Sequence, residues 1–90
     1  MDAPQREQIR LSLLRFLNEN PTRFGMARGL LVQMLRSEGN PTITGEQVET
    51  ELLYLEDKGL IQEAAKYISP ENRAWRITAE GRDLLANIQA

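Results

Sequence analysis

The hydrophobic pattern of this chain changes period at Gly59. Before Gly59, apolar side chains recur every three to four positions, which is the spacing of residues on one face of an α-helix. After Gly59, apolar residues fall in two short runs, 60–68 and 74–78, and the residues between them, 69–73, are rich in turn formers. The change predicts a group of helices followed by a two-stranded hairpin.

Turn and capping residues divide the part before Gly59 into three helices. Asn20-Pro21 ends the first helix, because the residue before a proline is disfavoured in the helical conformation. Gly39 is available to end the second helix in a left-handed conformation. Thr44 and Gln47 have the spacing of a capping box, which begins the third helix. The three helices are predicted over about residues 5–18, 25–37 and 44–58.

Apolar and polar residues alternate in the second arm of the hairpin, and a last helix follows this arm. Trp75 and Ile77 flank Arg76, so we expect the two apolar residues to face the core and Arg76 to face outward. Thr78 begins the last helix. The residues expected to share its apolar face are Gly81, Leu84, Leu85 and Ile88.

The apolar residues of the first three helices define the rest of the predicted core. Those expected to face it are Ile9, Leu13, Phe16, Leu17, Met26, Leu30, Leu31, Met34, Leu35, Val48, Leu52 and Leu55. Leu11 and Leu14 lie off the apolar stripe of the first helix. They either widen its core face or, together with the last helix, meet a second copy of the chain in a homodimer.

Composition limits the chemistry that this chain can carry out. Its 90 residues have room for one core, so we expect a single domain over residues 1–90. The absence of Cys and His excludes thiol chemistry, zinc fingers and the serine and cysteine triads. We therefore expect neither an enzyme, nor a metal site, nor a cofactor. No apolar run approaches the roughly 18 residues of a membrane span, and the N-terminus lacks the pattern of a signal peptide, so we expect a cytoplasmic protein with no membrane partner.

Charge is distributed unevenly along the chain. The formal net charge is −2, and residues 39–60 carry five acidic residues against the single cation Lys58. This acidic block contains the third helix, whose face opposite the core is expected to present Glu46, Gln47, Thr50, Glu51, Tyr54 and Lys58. Because Lys and Arg supply most of the affinity for nucleic-acid phosphates, the acidic residues of this face oppose DNA binding.

Two segments near the third helix and the last helix resemble a known family. Residues 52–61 (LLYLEDKGLI) and 75–85 (WRITAEGRDLL) are similar to the corresponding segments of winged helix-turn-helix transcriptional regulators, of the PadR and arsenic-repressor kinds. The similarity covers about residues 43–85. It implies an α+β fold with three helices, a two-stranded wing hairpin and a C-terminal helix. Metal sensing is not carried over, because the chain has no Cys or His to bind the ion.

The resemblance implies a DNA-binding transcriptional regulator or accessory factor. In such proteins the third helix enters the major groove and the wing touches the DNA backbone. The residues expected to contact double-stranded DNA are Gln47, Thr50 and Tyr54 on the third helix and Lys66, Arg73 and Arg76 on the wing. The alternative is a winged-helix protein-interaction module whose acidic third helix, through Glu46 and Glu51, docks onto a basic protein partner.

Overall fold

A computed structural model describes residues 1–21, 24–64 and 73–89 of the chain. These residues form a compact α+β domain with four helices and one three-stranded antiparallel sheet. The helices are α1 (Ala3–Glu19), α2 (Arg28–Ser37), α3 (Gly45–Asp57) and α4 (Ala79–Gln89), and the strands are β1 (Met26–Ala27), β2 (Ile61–Glu63) and β3 (Ala74–Ile77). None of the helices in the described residues has the length and apolar character needed to cross a bilayer.

The helix ends follow the capping residues seen in the sequence. At the start of α3, the Thr44 hydroxyl accepts a hydrogen bond from the Gln47 amide at 3.2 Å. The Gln47 side chain accepts one from the Thr44 amide at 3.0 Å, so both bonds of the predicted capping box are present. Gly39 and Gly59 follow α2 and α3 with φ values of 102° and 76°, a conformation that favours glycine.

The predicted start of the second helix is wrong by three residues. The sequence favoured a helix from Gly25, but α2 begins at Arg28, because Met26 and Ala27 form strand β1. They pair with Trp75 and Ala74 of β3 in antiparallel register. Hydrogen bonding to a strand far along the chain therefore overrides the local helical pattern.

The hairpin arms pair as predicted, but the described first arm is short. Strand β2 spans Ile61–Glu63, whereas the sequence predicted an extended run over 60–68. It pairs antiparallel with β3, which lies between β1 and β2 in the sheet. The alternation of β3 is confirmed, because Trp75 and Ile77 are buried and Arg76 is exposed. Residues 65–72, which include most of the predicted turn, lie outside the described residues.

One hydrophobic core joins α1, α2, α3, α4 and the inner face of the sheet. Leu14 is buried in it, so of the two alternatives for this residue the structure shows the first, a wider core face of α1. Leu30 is exposed on α2, contrary to the prediction. In α4 the structure buries Gly81 and Leu85 but leaves Leu84 and Ile88 in contact with solvent. The rest of the domain therefore covers only part of the apolar face of α4.

Candidate functional site

Glu51 of α3 is buried, which contradicts its predicted place on the exposed acidic face. Its side chain is 1% exposed and lies between two arginines of α1. Arg6 Nε donates to one carboxylate oxygen at 3.0 Å, and Arg10 Nε donates to the other at 2.7 Å. A buried carboxylate is tolerated only when such partners compensate its charge. Glu51 therefore connects α3 to α1 and is not available to a partner.

Arg10 makes a second connection between the same two helices. Its guanidinium lies over the Tyr54 ring at 3.7 Å from the ring centroid and forms a 3.0 Å ion pair with Glu7. Burial lowers the pKa of Arg10, but the hydrogen bond to Glu51 and the charges of Glu51, Tyr54 and Glu7 outweigh this effect and raise the pKa. Arg10 is therefore a fixed cation at the edge of α3.

The three residues of α3 that were predicted to approach DNA bases all have intramolecular partners. The Gln47 side chain completes the capping box. The Thr50 hydroxyl donates to the Glu46 carbonyl at 3.0 Å. The Tyr54 ring is covered on one face by Arg10. DNA contact by these side chains stays a prediction. It would require each side chain to contact DNA in addition to its partner within the chain.

Arg73, the first wing arginine, is held against α3. Its guanidinium contacts Glu63 Oε1 at 2.6 to 2.7 Å and Glu49 Oε1 at 3.4 Å. It also lies 4.5 Å from the centroid of the Trp75 ring. The other oxygen of Glu49 pairs with Arg28 of α2 at 3.4 Å. These contacts neutralise Arg73 and at the same time neutralise a carboxylate of the acidic helix.

Arg76, the second wing arginine, lies on the opposite face of the sheet from Arg73. Its register partner across the strands is Gln62. With the Gln62 amide oriented to satisfy both groups, its oxygen accepts from Arg76 Nε at 2.9 Å and from Nη2 at 2.8 Å. Lys66, the third predicted wing cation, lies outside the described residues. The structure therefore does not bring Arg73 and Arg76 together.

An apolar groove, which we call the α1–α4 groove, runs between α1, the end of α3 and α4. Its volume is about 500 Å³. The apolar residues that line it are Leu11, Leu14, Leu55, Leu60, Leu84 and Ile88, and the polar ones are Glu7, Gln8, Arg10, Tyr54 and Lys58. The off-stripe position of Leu11 and Leu14 was the sequence signal for this surface. The sequence did not indicate that Lys58 and Leu60 would line this groove, because only folding brings them beside α4.

Comparisons with known proteins assign no family to this chain. No family model, no curated protein and no solved structure matches it. Within residues 1–21, 24–64 and 73–89, no three acidic side chains are placed to hold a metal ion together. The function has to be argued from the surfaces described above.

Proposed function

We propose that this chain is a winged-helix protein-interaction module that pairs with a second copy of itself through the α1–α4 groove. Support for the winged-helix assignment comes from the order of elements, α1-β1-α2-α3-β2-β3. In this assignment α2 and α3 form the helix-turn-helix, and β2 and β3 form the base of the wing. The α4 helix follows the wing and supplies one wall of the groove.

The exposed apolar wall of the groove is the observation that carries the proposal. Leu84 is 37% exposed and Ile88 is 53% exposed, although both belong to the apolar stripe of α4. Because they are four residues apart, they form one ridge on the helix surface. The ridge stands beside the half-buried Leu11 of α1. Contiguous apolar surface rimmed by polar residues is typical of a protein interface.

Charge complementarity favours a second copy of the chain as the occupant. The rim of the groove carries the exposed cation Lys58, whereas Arg10, also on the rim, is already paired with Glu51 and Glu7. The exposed part of α4 carries the carboxylates Glu80 and Asp83 along with its apolar ridge. In a twofold pair, the α4 helix of each copy lies against the groove of the other. Each contact between the apolar ridge and the groove, and each approach of the α4 carboxylates to Lys58, therefore occurs twice.

A basic partner that docks onto the acidic residues of α3 has less support. Glu51 is buried between Arg6 and Arg10, and Glu49 is paired with Arg28 and Arg73. Two of the five carboxylates of the acidic block are thus compensated within the fold, and one of them, Glu51, is a residue on which the docking prediction relied. DNA binding through α3 and the wing has less support for a related reason, because Arg73 would have to leave two carboxylates to contact phosphate.

Sedimentation equilibrium from about 5 µM to about 500 µM tests the pairing, since this range covers micromolar to submillimolar dissociation constants. We expect a monomer–dimer equilibrium. The Ile88→Asp variant should raise the dimer dissociation constant about tenfold or more, because it removes roughly 1.5–3 kcal/mol of apolar burial. The control is Leu53→Asp, which changes a leucine that is 41% exposed on α3 outside the groove.

Two results would contradict pairing through this surface. One is a monomer at every concentration, and the other is equal weakening by Ile88→Asp and Leu53→Asp. A mobility-shift titration with duplex DNA at low salt tests the DNA alternative in parallel. If the wild-type chain binds duplex DNA and Arg73→Gln abolishes this binding, the surface formed by α3 and the wing is a DNA-binding site and the proposed function is wrong.

A further inference from the structure

The arginines of the described residues differ in whether a carboxylate compensates their charge. Five arginines pair with carboxylates, namely Arg6, Arg10, Arg15, Arg28 and Arg73. Arg36 donates twice to the Ile43 carbonyl. Arg76 and Arg82, like Arg36, have no carboxylate partner among the residues that the structure describes. All three keep their full charge, and two of them, Arg76 and Arg82, share one location.

Both of these arginines line the same cleft, which we call the Arg76–Arg82 cleft. It lies between the outer face of β3 and the start of α4 and has a volume of about 600 Å³. Its other lining residues are Pro21, Gln62, Ile77, Thr78 and Ala79. None of these described lining residues is acidic. The described lining of the cleft therefore carries two positive charges and no negative charge.

Gln62 fixes the position of one of the two cations without neutralising it. The amide oxygen accepts two hydrogen bonds from Arg76, at 2.9 and 2.8 Å. An amide is uncharged, so the guanidinium is oriented but its charge remains available. A guanidinium held in place before binding loses less conformational freedom when it meets an anion.

We infer that the Arg76–Arg82 cleft binds the phosphate group of a small phosphorylated ligand. Arginine carries five N–H donors, of which Arg76 uses two on Gln62, so its remaining donors and those of Arg82 are available to phosphate oxygens, and the two positive charges suit the charge of a phosphate. The cleft volume of about 600 Å³ falls within the roughly 300–1,000 Å³ of small-molecule sites, so a small phosphorylated ligand fits it. This inference is independent of pairing through the α1–α4 groove.

A titration with inorganic pyrophosphate, followed by NMR of the arginine Nε–H groups, tests the inference. We expect saturable shifts of the Arg76 and Arg82 signals. The Arg82→Gln variant removes one fork, and Gln62→Glu places a carboxylate against Arg76, so each should weaken binding about tenfold or more. Both changes are at exposed positions. The control is Arg15→Gln, which removes the same charge from a residue outside the cleft and should leave the affinity within about twofold.

Three outcomes would overturn the inference. The first is a set of NMR shifts that grows with pyrophosphate concentration without saturation. The second is equal weakening of pyrophosphate binding by Arg15→Gln and Arg82→Gln. Either result would indicate a general attraction of anions to the protein. The third is saturable binding of a short DNA duplex with no saturable binding of pyrophosphate. In that case the arginines would contact a nucleic-acid backbone and not a small ligand.

Discussion

The Glu51→Gln substitution tests whether the buried carboxylate holds α1 and α3 together. The substitution keeps the shape of the side chain and removes its charge. One oxygen remains as an acceptor, while the new NH₂ group faces a guanidinium. Removing one partner of a fully buried ion pair costs about 3–5 kcal/mol. Because the Arg6 side chain is 41% exposed and can regain water, we expect a loss of about 2–3 kcal/mol here.

Urea unfolding monitored by far-UV circular dichroism measures this loss directly. For a domain of this size, about 2–3 kcal/mol corresponds to a fall in Tm of roughly 10–20 °C. The matched control is Glu46→Gln, which removes an exposed carboxylate from the same helix and should cost less than about 1 kcal/mol. If Glu51→Gln costs no more than Glu46→Gln, the reasoning about the buried ion pair is wrong.

Two further substitutions test the packing of α4 and the start of α3. Gly81→Ala should destabilise the fold by about 1–3 kcal/mol in urea unfolding, because the added Cβ would overlap the Leu60 carbonyl and lie 2.7 Å from the Ile77 side chain. A gain in stability would show that helix propensity outweighs this contact. Thr44→Ala should cost about 1 kcal/mol, since it removes the hydroxyl that accepts from the Gln47 amide. An unchanged midpoint of thermal unfolding would show that the capping box adds nothing.

Short-range signals explain the parts of the fold that could be predicted. The capping box at Thr44 and Gln47 involves residues three positions apart, and the alternation of Trp75, Arg76 and Ile77 depends only on the pleat of one strand. Each of these features can be read from a window of a few residues. The existence of the four helices and the pairing of the two hairpin arms therefore followed from the sequence, whereas the start of α2 did not.

Long-range pairings explain what the sequence could not predict. Met26 is part of a strand only because Trp75 lies opposite it in the sheet. Glu51 is buried only because α1 supplies Arg6 and Arg10, more than forty positions earlier in the chain. A carboxylate on the outer side of a helix pattern is normally solvated, so its burial has no local signal.

The candidate surfaces also include one feature that the sequence indicated and one that depends on residues far apart in the chain. The apolar residues of α4 and the off-stripe Leu11 indicated a seam from sequence, and the structure brings them into one groove. The loss of Arg73 as a free cation depends on Glu63, ten positions earlier in the chain, and on Glu49 of α3, 24 positions earlier. Charge compensation between distant elements is thus the feature that most changes the functional interpretation.

Distance measurement between two spin labels tests the pairing of α4 with a second copy most directly. The chain has no Cys, so Asn87→Cys provides a single attachment site beside Ile88, and Ser37→Cys provides one on α2 outside the groove. Twofold pairing through the α1–α4 groove predicts strong dipolar coupling between labels at position 87 and weaker coupling between labels at position 37. Absent coupling at position 87, or stronger coupling at position 37, would contradict the proposed interface.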